Sequence, residues 1–279
     1  MKNKASRNII PGYGISLGVT ITLLSFVVLI PLASLAVYAA GMTPAAFLKT
    51  ITRGRVLAGF RVSLLTSAIA SLVNLVMGLI TAWVLVRYDF PGKRIMDGMI
   101  ELPFALPTAV AGIALTSLTS DSGIIGRLFA RWGIRIAYTR IGITIALIFI
   151  GIPFVVRAVQ PVLEKLDSTC EEAAKVLGAG RITIFRKVIL PELFPALMTG
   201  TGLAFGRCLG EYGSVVFIAG NQPYKTEVVP LIIMSELQEY DYAGACSIAL
   251  VMLAIAFLIL FLVNLMQAHN SRVLRGGEP

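Results

Sequence analysis

Long apolar runs separated by short charged segments dominate the chain. They lie at about 15 to 40, 62 to 86, 99 to 118, 141 to 160, 194 to 220 and 244 to 266. A bilayer's hydrocarbon core is about 30 Å thick, so a helix rising about 1.5 Å per residue needs roughly 20 mostly apolar residues to cross it. The pattern therefore predicts an all-α, polytopic membrane protein with about six transmembrane helices in a single domain over 1–279. The stretch from Thr226 to Leu237 is apolar but too short to span. Following the polar stretch Asn221 to Lys225, it fits either a re-entrant or an interfacial helix.

The first run follows Lys2, Lys4 and Arg7, as a signal peptide would. Ile15 to Ala40 is nonetheless longer than the usual apolar region of such peptides, which favours an uncleaved first helix. An even number of spans puts both termini on one side. The N-terminus, 87 to 98, 157 to 193 and the C-terminus carry more Lys and Arg than the alternate segments, which predicts that these face the cytoplasm. Pro103 and Pro107 interrupt the third run, which also holds Glu101, and Pro153 lies in the fourth. These prolines are consistent with ordinary kinks or with helices that line a path.

Composition narrows the function. At 57% hydrophobic and 14% charged, the chain has more apolar surface than one soluble domain of its length buries. The net charge of +9 comes from residues scattered through short loops, which argues against nucleic acid as a partner. Cys170, Cys208 and Cys246 are far apart in sequence, without a CxxC pair, so they read as packing residues rather than metal ligands or a disulfide framework. The one histidine, His269, is near the C-terminus, so no clustered catalytic set is expected and the chain is not read as an enzyme.

Residues 167 to 193, within a loop of about 164–193, read DSTCEEAAKVLGAGRITIFRKVILPEL. Ser168 and Glu171 have capping-box spacing, and Glu171 and Glu172 suit the first turn of a helix beginning there. Gly178 and Gly180 are expected to end it. A second amphipathic stretch, Arg181 to Leu190, carries Arg186 and Lys187 near its end and runs until Pro191 leads into the fifth span. Ala173 and Ala174 give the first helix a surface that a partner can approach closely.

Glu172, Ala173 and Ala174 are followed by three residues, Gly178, nine residues, Val188, one residue, then Leu190 and Pro191. This spacing resembles the EAA loop of the permease subunits of bacterial ABC importers, with Val188 in place of the usual isoleucine. The resemblance implies a type I importer permease whose cytoplasmic loop forms a coupling helix seated in a groove of an ATPase. The sequence has no Gly-x-x-x-x-Gly-Lys-Ser/Thr motif. ATP and Mg would then be used by the partner ATPase, with no cofactor bound by this chain.

The fifth run holds Arg207 and Glu211, four residues apart and expected on one helical face. Each charge costs roughly 2.5 to 3.5 kcal/mol at a helix centre in a bilayer, so both should face protein or water. They fit an ion pair that fixes helix packing, or pore or gate residues. Glycines 206, 210 and 213 beside them permit close helix contact, as between two subunits around a pore.

Residues 210 to 231 and 237 to 245 are similar to the T-subunit branch of the sulfate/thiosulfate permeases, and molybdate permeases have a related stretch. That likeness implies a bacterial inner-membrane channel, surrounded by lipid, made with a second permease subunit that is W-type or a copy of this chain. It also implies two ATPase subunits and an external sulfate-binding protein. The rival reading is an ion-gradient transporter with Glu101 and Glu211 as proton carriers. The absence of inverted repeats and the EAA spacing count against it.

Overall fold

Among the described residues, 13 to 275, the computed structural model has only helices as regular structure; side chains are described as far as Leu265. In chain order these are α1 Tyr13–Ala40, α2 Pro44–Ile51, α3 Gly54–Arg87, α4 Lys93–Ala105, α5 Thr108–Thr119 and α6 Ile124–Ala130. They continue with α7 Arg140–Lys165, α8 Ser168–Val176, α9 Arg181–Leu209, α10 Val215–Ile218, α11 Val229–Gln238 and α12 Tyr242–Arg275. Five of these helices are long and apolar enough to cross a membrane, and six spans result when α4 and α5 count as one bent pair. The expected N-terminal charges Lys2, Lys4 and Arg7 lie outside the described residues, as does the side chain of His269.

The centre is a bundle of α3, α7 and α9. On α3 the residues Val56, Phe60, Ser63, Ser67, Ala70, Asn74 and Gly78 recur every three or four positions and are buried. That spacing puts them on one helical face. Lipid supplies no hydrophobic force between helices, so packing depends on close contact at small residues. A Cβ on Gly78 would meet Val155 at 2.7 Å, and one on Gly151 would collide with the Asn74 amide. At Gly200 it would come within 2.8 Å of the Val155 Cα. Outside this bundle, α12 packs on α1, α9 and α11.

Pro107 breaks the third span and Pro103 does not. Leu106 is extended (φ −85, ψ 135) because the proline ring disfavours helix in the residue before it, and the chain bends by 111° between α4 and α5. Pro153 and Pro161 both lie inside α7, which continues through them.

Two expectations are corrected. Pro191 does not separate a short helix from the fifth span: α9 is continuous from Arg181 to Leu209 and takes up the proline in a π-turn, Phe185–Ile189. An equivalent turn, Ser25–Leu29, precedes Pro31 in α1. The wider turn leaves room for a ring that would otherwise strike the carbonyl four residues back. In addition, the fifth span ends at Leu209 rather than near 220, and the chain then forms a packed turn and the short α10. The segment left open between two readings forms α11, whose buried Val229, Leu231 and Ile232 face the protein, with α3 and α12 as neighbours.

The contact at Gly200 is lined by Val155 and Phe154 backbone atoms and the Ala158 Cβ, none of which can swing aside as a flexible side chain would. Gly200→Val is expected to destabilise the bundle by about 1–3 kcal/mol, read as a lower unfolding temperature of the purified chain in detergent. An unchanged midpoint would show that the contact is looser than described.

Candidate functional site

The loop between α7 and α9 is built around α8. Its N-cap is Asp167, one residue before the expected Ser168: the Asp167 carboxylate accepts the Thr169 amide at 2.9 Å and the Thr169 hydroxyl at 2.6 Å. These bonds hold its carboxyl below the usual carboxylate range. Glu171 closes no capping box; it pairs instead with Arg87 at the end of α3.

At the other end Gly178 has φ +80, with the Ala179 amide donating to Ala174 O at 3.0 Å and the Gly178 amide to Lys175 O at 2.9 Å. This is a Schellman closure, and its left-handed position suits glycine. Gly180 does not end the helix as expected: its backbone is extended (φ −70, ψ 160) and it enters α9 as the N-cap.

The structure divides the residues of the EAA spacing into two groups. Glu172, Ala173 and Gly178 are exposed. Ala174, Val188 and Leu190 are half-buried and pack against the core of the bundle, and Pro191 is also half-buried. At the tip Val176 is 88% exposed, Leu177 87% and Ile182 75%. An apolar tip of this kind, outside the spans and next to an exposed carboxylate, is suited to docking rather than to water. Cys170 is exposed on the same helix, which corrects its reading as a packing residue.

Arg207 and Glu211 do form an ion pair, but not on one helical face in mid-span. Arg207 lies in the last turn of α9 and Glu211 beyond its end. Glu211 is 3% exposed, and its second oxygen accepts the Ser214 amide at 2.9 Å and the Ser214 hydroxyl at 3.1 Å. Arg207 keeps about a third of its side chain exposed (35%).

The break before α5 packs on this turn. A Cβ on Gly213 would collide with the Thr108 hydroxyl, and one on Gly112 would meet the Ser214 Cα at 2.6 Å. The N-terminus of α5, where amides lack helical partners and the helix dipole is positive, therefore lies beside the Arg207–Glu211 turn. The Cys208 thiol donates to Leu147 O at 3.3 Å. Leu147 is near the start of α7, so the site occupies the half of the bundle remote from α8.

Other charged contacts had no sequence signal. Glu101 pairs with Arg157 at 2.8 Å, and Arg157 also holds Asp97 at 2.8 Å. Arg55 grips the buried Glu227 with two hydrogen bonds, 2.8 and 2.6 Å, and Arg53 reaches Glu236 at 3.2 Å. These pairs clamp the start of α3 to α11 and the segment before it. Their partners are 172 and 183 positions apart, beyond any local spacing rule.

Comparison with known proteins bears on the fold and the family. A family model described as binding-protein-dependent transport system inner membrane component matches residues 74–276. The chain is 48% identical over 268 residues to the sulfate transport system permease protein CysT of Salmonella typhimurium, covering 96% of this chain and 97% of that protein. It is 44% identical over 254 residues to the CysT protein of Synechocystis sp., covering 91% and 89%. Among solved structures, a bacterial alginate ABC transporter in complex with a pentasaccharide-bound periplasmic protein matches with a TM-score of 0.74 at 18% identity, over 90% of this chain and 92% of that one. At that identity the likeness establishes the fold alone.

Arg207 and Glu211 are expected to be energetically coupled. Arg207→Ala and Glu211→Ala should each cost about 1–3 kcal/mol by leaving a polar partner unsatisfied. The double variant should cost less than their sum by at least about 0.5 kcal/mol, measured by unfolding the purified chain in detergent. Strict additivity would show that the pair is not a unit.

Proposed function

The chain belongs to the family of binding-protein-dependent transport system inner membrane components, and from that premise we propose that it forms half of the channel of an ATP-driven importer of sulfate and thiosulfate. The observation that carries this reading is the α8 tip, where the EAA spacing presents Glu172 and Ala173 beside the exposed Val176 and Leu177. Sulfate as cargo is supported by relatives at 44% and 48% identity whose names specify sulfate transport. An external sulfate-binding protein is supported by the family's description as binding-protein-dependent, together with the sulfate named for the relatives.

On this reading residues 1–279 form one permease domain in the inner membrane, with both termini and the α8 loop in the cytoplasm. The rest of the channel is a W-type subunit or a second copy. Two ATPase subunits bind and hydrolyse ATP with Mg, and Glu172, Ala173 and Gly178 shape the surface that meets one of them. ATP binding drives the switch between inward-facing and outward-facing states because it stabilises one more than the other. Arg207 and Glu211, beside the N-terminus of α5, belong to the pore or gate. No residue here acts as a chemical catalyst.

The test is uptake of labelled sulfate in cells lacking this chain and complemented with it, with the ATPase present or absent. Uptake that requires the ATPase and is competed by thiosulfate is expected. Competition by molybdate alone would reassign the cargo, and uptake indifferent to the ATPase would overturn the importer class.

Gly178→Val places a β-branched residue at positive φ and should abolish most uptake while leaving membrane insertion intact. Wild-type uptake by that variant would remove the coupling role of α8.

A further inference from the structure

Two adjacent glutamates on α8 face opposite ways. Glu172 is exposed and makes no ion pair among the described residues. Glu171 turns toward the bundle, with 13% of its side chain exposed, and pairs with Arg87, whose side chain is 26% exposed. Arg87 is the last residue of α3. Its guanidinium lies over the Trp83 ring, 5.3 Å from the centroid. Trp83 in turn meets Phe185 edge-on, with centroids 5.6 Å apart. Phe185 opens the π-turn of α9.

A helix of nine residues does not hold its shape alone, so α8 depends on what ties it to its neighbours. It packs lightly on the start of α9 and its π-turn, with Ala174 half-buried against the core, and among the described residues its one ion pair with α3 is Arg87–Glu171. The pair is more than a surface contact: both groups are largely withdrawn from water, and the Trp83 ring lies under the guanidinium at cation–π distance. The Arg87 Nε–H is buried without an acceptor among the described residues. The head group is thus contacted by Glu171 and Trp83, with about a quarter of the side chain (26%) left exposed.

We propose that Arg87 is a positioning residue that fastens α8 to α3 through Glu171 and to the π-turn of α9 through Trp83 and Phe185, so that a push on α8 moves two bundle helices together. The proposal rests on the reading of α8 as the helix that docks on the ATPase. It assigns the neighbouring glutamates different tasks: Glu171 holds the helix to its own chain and Glu172 faces the partner. With the fastening cut, α8 still reaches the ATPase but swings without moving the pore.

Two measurements on the full chain separate this proposal from the function on which it rests. The first is hydrogen exchange across residues 168 to 177 in lipid nanodiscs, which needs no transport. Arg87→Ala should speed exchange there about ten-fold, with the middle of α3 unchanged, and Glu172→Ala should leave it as in the wild type. The second is sulfate moved per ATP hydrolysed by the complex reconstituted with its ATPase, second permease subunit and binding protein. That ratio should fall several-fold in Arg87→Ala while ATP hydrolysis continues, and the double charge reversal R87E/E171R should restore both readouts. Arg87→Lys keeps the charge without the planar guanidinium and should fall between, which guards against reading a folding defect as uncoupling.

Unchanged exchange in Arg87→Ala, or faster exchange with a normal transport ratio, would overturn the proposal. Failure of the reversed pair to restore either readout would do the same. A wild-type complex that moves no sulfate with ATP would instead refute the importer reading, and the exchange result would still decide whether the fastening exists.

Discussion

Helices in a bilayer gain nothing from hiding apolar surface from one another, because the lipid is as apolar as they are; they must come close enough for dispersion and weak polar contacts to hold them. The α3–α7–α9 bundle meets this constraint at Gly78, Gly151 and Gly200, where a side chain would meet Val155, the Asn74 amide or the backbone at Val155. The rest of the molecule is arranged around that contact. Departures from regular helix are displaced from it, to the π-turns of α1 and α9, the break between α4 and α5, and the turn after Leu209.

Three Leu-Pro pairs show how far local sequence reaches. Leu102-Pro103 lies within an unbroken helix, Leu106-Pro107 ends one, and Leu190-Pro191 follows a π-turn inside one. The dipeptide is the same each time, and surroundings decide the outcome. Pro107 comes one turn after Pro103, so two successive hydrogen bonds are lost on one side of the helix. The α5 helix that follows is then held against Gly213 and Ser214. Around Pro191, Ile189, Leu193 and Leu197 are buried in the bundle, which keeps the chain helical through the proline.

The spans were legible because hydropathy over about 20 residues is a bulk property. The end of the fifth span was not, since Val215 to Ala219 continues the apolar run while Gly210, Glu211 and Gly213 turn the chain. The spacing from Glu172 to Pro191 was legible as a motif, and Gly178 behaves as its position demands. Which glutamate faces inward was hidden, because it depends on Arg87, 84 positions away. The capping residue was misplaced by one, a distinction that rests on the hydrogen bond from the Thr169 amide.

The same charge economy bears on how an anion would pass. Glu101, Glu227 and Glu236 all have arginine partners, and Glu211 is shared between Arg207 and Ser214, so these carboxylates do not face lipid bare. On the proposed reading this limits attraction as well as supplying it. A lone arginine deep in the bundle would hold a dianion too firmly to release it, whereas conduction needs binding strong enough to admit the ion and weak enough to let it leave. Pairing Arg207 with Glu211 leaves a partial positive field, supplemented by the amides at the start of α5. Both contributions lie at the junction of α5 and the end of α9, where Gly213 packs on Thr108. On the same reading, selectivity for a tetrahedral dianion need not be built into this chain, because the proposed external binding protein can supply it.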